Sequence, residues 1–126
     1  MTRIKLETIV FSGLIAATTF CSQVHADGRE LLKQCAAATY LFDSSKLTDE
    51  YDIGMCMGLT EGVRDTILAL ASITKKEVIC FPKNGISTQD GIRVVTDFLK
   101  RNPEALNFEN DSILILKAFS LSYPCN

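Results

Sequence analysis

The sequence predicts an all-α fold, a small bundle of about four helices pinned by two disulfides, and three observations carry that reading. Apolar residues recur at helical spacing in four separate stretches, and turn-forming residues fall between them. Four cysteines, an even set, remain in the 100 residues that follow an export signal. The signal is read from residues 1–26. Arg3 and Lys5 supply the positive region, Ile9 to Phe20 the apolar run, and Val24-His25-Ala26 places Val and Ala at the two positions a signal peptidase tests. The run is short for a transmembrane span. Phe20 before Cys21 argues against lipid attachment, so simple cleavage before Asp27 is expected, leaving residues 27–126 as one domain.

The first helix is expected over Gly28 to Phe42, with Leu31, Leu32, Cys35 and Phe42 on one side and Asp43-Ser44-Ser45 opening a polar connection. Thr48 or Asp49 caps the second helix, which runs to about Ile73. This is the central helix. At about 100° per residue, Cys56, Leu59, Val63, Ile67 and Leu70 form one apolar stripe. Gly54, Gly58 and Gly62 form a second row. Each glycine costs about 1 kcal/mol relative to alanine inside a helix, so the row is expected to be recovered by helix packing, with another backbone in close approach. Display of a shallow groove to a partner is the other use for such a row. A membrane dimer is not, because Glu50, Asp52, Glu61, Arg64 and Asp65 interrupt the segment.

Val78 to Phe81 is apolar and β-prone but has no partner strand, and an extended buried segment held at Cys80 is expected. Pro82-Lys83-Asn84-Gly85 is a turn by composition. Ser87 starts the third helix, with Asp90 completing a rough capping box and Ile92, Val95, Phe98 and Leu99 facing inward. Asn102-Pro103 stops it, and Pro103 begins a further helical turn. The last helix, about Asn110 to Leu121, is read as presenting Ile113, Leu116 and Leu121, with Leu114, Ile115 and Phe119 widening the face.

Cys35, Cys56, Cys80 and Cys125 permit three pairings. Cys35–Cys56, joining consecutive helices, and Cys80–Cys125, tying the loop after the central helix to the chain end, are favoured. No CxxC spacing suggests a redox motif or a zinc ribbon. The only histidine, His25, leaves with the signal, which removes Ser-His and Cys-His nucleophile pairs and histidine metal ligands. Asp49, Glu50 and Asp52 are carboxylates at a helix start, more simply a solvated cap than an acid–base pair. No enzyme, no metal and no cofactor are expected. Once Arg3, Lys5 and Glu7 are lost, 11 basic residues face 14 acidic ones. That balance offers neither a nucleic-acid stripe nor a polybasic membrane face.

The order of motifs resembles a known family. A cysteine in the first helix precedes a second helix carrying Cys56, Gly58, Gly62, Val63 and Asp65 as C-x-G-x-x-x-G-V-x-D. Ile79-Cys80-Phe81-Pro82, a Ser-capped helix, Leu99 with Asn102-Pro103-Glu104, and a terminal Tyr-Pro-Cys follow. Together they resemble the Rap/Tai family of type VI secretion immunity proteins over nearly the whole exported chain. Departures fall at Met57, where an aromatic is usual, at Asp90, where Gln is usual, and at the bulky Phe108-Glu109-Asn110. The resemblance implies a periplasmic antitoxin that binds and inhibits a secreted peptidoglycan amidase. A homodimer is a further partner expectation. The residues allow two other classes, a periplasmic acid-stress chaperone and an accessory subunit of an envelope complex. Partner contacts are expected from loops: Lys83 and Asn84 in the turn, and Asp49 and Glu50 at the start of the central helix.

Overall fold

The computed structural model describes residues 27–126, so the signal reading lies outside the described residues. Four α-helices and one 3₁₀ turn make up the chain, with no strand among the described residues: α1 (Gly28–Ser44), α2 (Glu50–Thr74), α3 (Thr88–Arg101), the 3₁₀ turn (Pro103–Asn107) and α4 (Asp111–Ser122). Each start is capped by a local side chain. Asp27 accepts from the Arg29 and Glu30 amides, Asp49 from the Asp52 amide at 3.0 Å, Ser87 from the Asp90 amide at 3.1 Å, and Asn110 from the Ile113 amide at 3.0 Å. The first helix outlasts its expected end at Phe42 by two residues. Ser45 then closes it in the left-handed region, its amide donating to the Leu41 carbonyl at 2.8 Å.

Helix α1 packs against both α2 and α3, the 3₁₀ turn covers one end of α1, and α4 closes the bundle against α2 and α3. Their shared core holds Leu31 and Cys35 of α1, Ile53 and Cys56 of α2, Ile92, Val95 and Leu99 of α3, and Ile115 and Phe119 of α4. Both favoured disulfides are present, Cys35–Cys56 inside the core and Cys80–Cys125 at the chain end. The second is reinforced by the Cys80 amide donating to the Tyr123 carbonyl at 2.9 Å and by packing of Phe81 against Phe119 and Tyr123.

Four expectations about facing are corrected. The glycine row of α2 serves no internal packing: Gly54, Gly58 and Gly62 are exposed, and a Cβ on any of them would meet nothing within 4 Å. The buried face of α2, turned away from the glycines, keeps Cys56 and Ile67 of the expected stripe and adds Ile53 and Thr60; Leu59 and Val63 are partly buried against the core, and only Leu70 at the stripe's end departs, at 54% exposed. The close helix approach occurs at Gly91 of α3, where a Cβ would meet Thr60 Cγ2 at 3.2 Å. In α4, Leu114, Ile115, Ala118 and Phe119 are buried while Ile113, Leu116 and Leu121 lie outside. Val78 is exposed, while Ile79 is buried and Phe81 packs on the core, so the extended segment expected to be buried from Val78 turns inward only from Ile79. For the two helices the physical reason is shared. Helices α2 and α4 are apolar over most of their circumference, so periodicity leaves the inward direction open.

Candidate partner-binding surface

Three exposed features offer themselves as contact surface. The first is the turn Pro82–Gly85. The Gly85 amide donates to the Pro82 carbonyl at 2.7 Å, and Gly85 takes a φ of 73°, the left-handed conformation for which glycine suits the position. Lys83 and Asn84 are exposed at its tip. The disulfide at Cys80 holds one side, and the Ser87 cap of α3 holds the other. Arg64 of α2 also donates to the Ile86 carbonyl, and Thr88 is hydrogen-bonded to Glu61, which fastens the loop along the middle of α2.

The second feature is the acidic start of α2. Asp49 commits one carboxylate oxygen to its cap, while Glu50 is exposed. Behind them Asp52 is buried, and Lys33 of α1 reaches it at 3.1 Å. Hydrogen bonds to Asp52 and then Glu30 raise the Lys33 pKa, although the lysine itself remains in solvent. The two polar features are not brought together. Arg64, which anchors the turn, lies fifteen residues along α2 from Asp49, about 22 Å at 1.5 Å per residue.

The third feature was not assembled by sequence reasoning. Gly58 and Gly62 form the floor of an apolar groove of about 520 Å³ between α2 and α4, walled by Leu59, Thr66, Ile113 and Leu116. Ile113 and Leu116 also line a second hollow of about 330 Å³ that continues towards Val78. Beyond Ile67 the last turns of α2 carry Leu68, Leu70 and Ile73, the last 77% exposed. Leu59, Leu70, Ile113 and Leu116 share the lining of one groove rather than standing as scattered singles, and a contiguous apolar patch is a candidate interaction surface. The signal available in the sequence was the glycine row, whose alternative use as a groove is the one found here. No described helix is long and apolar enough to cross a membrane. Among the described residues no three His, Cys, Asp or Glu side chains are grouped to hold a metal.

A protein-family model, that of Rap1a immunity proteins, matches residues 27–125. No curated protein and no solved structure matches the chain.

Proposed function

The chain belongs to the Rap1a immunity protein family, and from that premise we propose that it is exported to the periplasm, where it binds and blocks a type VI secreted peptidoglycan amidase. The observation that carries the reading is the family match over residues 27–125, the stretch left by the proposed cut after Ala26. The surface is compatible with inhibition by occupancy. A short polar turn held at both ends loses little entropy on binding, and such preorganisation favours affinity. Lys83 and Asn84 supply a cation, an amide donor and an amide acceptor for an enzyme cleft. Asp49 and Glu50 are the alternative contact patch.

The apolar face of α2 and α4 suits a second copy of the chain, and we assign the possible homodimer to it. A two-fold axis near Thr66 pairs two α2 helices antiparallel and seats Leu70 of one copy over Gly62 of the other.

The test is to mix the purified exported protein with the amidase encoded nearest to it and to follow cleavage of cell-wall peptide. Inhibition with a complex on size exclusion is expected. Unchanged cleavage at molar excess, with no complex, refutes the immunity reading for that toxin. Lys83→Glu combined with Asn84→Ala is expected to weaken inhibition without lowering the melting temperature. A loss of stability instead would make the turn structural.

A further inference from the structure

The starts of α1 and α4 meet in a corner where a buried carboxylate has no side-chain cation to answer it. The Gly28 amide donates to the Phe108 carbonyl at 3.1 Å, and a Cβ on Gly28 would collide with the Ala105 carbonyl and lie 2.8 Å from the Leu106 Cα. Residue 27 is thereby pressed against the chain that leads into α4. Asp111, the first residue of α4, is only 9% exposed, and its buried Oδ1 has no hydrogen-bond partner among the described residues. Burial, then repulsion from the Asp27 and Glu30 carboxylates, raises the Asp111 pKa. The cations on this side of α1 are engaged elsewhere, Arg29 with Asp27 and Asn107, and Lys33 with Glu30 and Asp52.

We infer that this corner is a binding site for an ammonium group, and that its occupant is the α-ammonium of Asp27, created when the leader is cut after Ala26. The inference rests on the cleavage proposed above. Hydrolysis of the Ala26–Asp27 peptide bond adds one water: Ala26 keeps the new carboxylate, and Asp27 gains an amine that is protonated at neutral pH. Before the cut the nitrogen of Asp27 is a neutral amide. Afterwards a full positive charge stands at the same point. Next to the amino end of a helix a cation opposes the macrodipole, so a bare terminus at this place would disfavour α1. The Asp111 carboxylate, which no side-chain cation answers, reverses that sign, and Asp27 and Glu30, already paired with Arg29 and Lys33, add less. Release of the leader then completes the electrostatics of the corner and stabilises the exported chain over its precursor.

The experiment separates the inference from the cleavage on which it rests. Mass spectrometry of protein recovered from the periplasm identifies its first residue and tests the cut alone. A chain made to begin at Asp27, by removing an N-terminal fusion in vitro, carries the terminus whatever the cell does. In that chain the α-amino pKa, followed by NMR titration, is expected about one unit above the ordinary range of about 7.7–8.0, a tenfold gain in proton affinity. Asp111→Asn is expected to return it to that range or below, and Glu30→Gln, at a partly exposed position, to lower it by less. Selective α-acetylation is expected to lower the melting temperature of the unsubstituted chain and to leave that of Asp111→Asn unmoved. An α-amino pKa at or below the ordinary range, or one that responds to neither substitution, overturns the inference.

Discussion

Alanine at Gly58 and Gly62 is expected to stabilise this domain, the opposite of what a packed glycine row would do. Both positions lie inside the 25-residue helix α2, both are exposed, and an added Cβ meets nothing within 4 Å at either. No clash therefore offsets the gain in helix propensity, about 1 kcal/mol per glycine replaced. Part of that gain comes from restricting the unfolded chain. The double variant is worth about 2 kcal/mol, which corresponds to a rise of about 8–16 °C in melting temperature for a domain of this size. Circular dichroism melts at low protein concentration, where α2 is free of any second copy, measure it directly. A double variant that melts below the unsubstituted chain would refute the reasoning, since it would require a contact along the row within the monomer. The face also has its own test at higher concentration. Gly62→Leu fills the groove floor on which a second copy is proposed to sit, and is expected to raise the monomer fraction by analytical ultracentrifugation.

Three further outcomes follow from the geometry. Gly28→Ala should destabilise the domain by about 1–3 kcal/mol in urea unfolding, because the new Cβ collides with the backbone carbonyl of Ala105, which cannot step aside as a flexible side chain would. Opening the disulfides by paired Cys→Ala substitution should lower stability by about 3 kcal/mol for Cys35–Cys56 and about 4 kcal/mol for Cys80–Cys125 in the chain-entropy model, following their separations of 21 and 45 residues; cavity formation at the buried first pair adds to its loss. Asp111 holds its proton more tightly folded than unfolded, so its contribution to stability falls as pH rises from its ordinary value of 3.8 through the raised folded value. In a chain whose Asp27 nitrogen is blocked, Asp111→Asn is therefore expected to be the more stable at neutral pH. That advantage should vanish below about pH 3.8 in urea titrations across pH.

Much of this fold is written in short-range chemistry. The caps at Asp49, Ser87 and Asn110 act within three residues of themselves, so helix starts are legible from local sequence. Helix α3 has a polar side opposite Ile92, Val95, Phe98 and Leu99, so its inward face is unambiguous, and all four residues are buried. The cysteine pairing follows from which helices are consecutive and which end needs tying. The turn at Pro82–Gly85 is likewise local, in its composition and its backbone hydrogen bond. What the tertiary structure alone decided is orientation. Helices α2 and α4 carry apolar residues on nearly every side, and the side that is buried depends on where α1 and α3 stand. The glycine row looks the same in sequence whether a helix covers it or not; here the close approach falls to Gly91, which leaves Gly58 and Gly62 open. The groove joins Gly62 to Leu116, and the corner at Asp111 joins α4 to residue 27. Neither pairing has a local signature, because burial and charge proximity between distant segments arise only once the helices have packed.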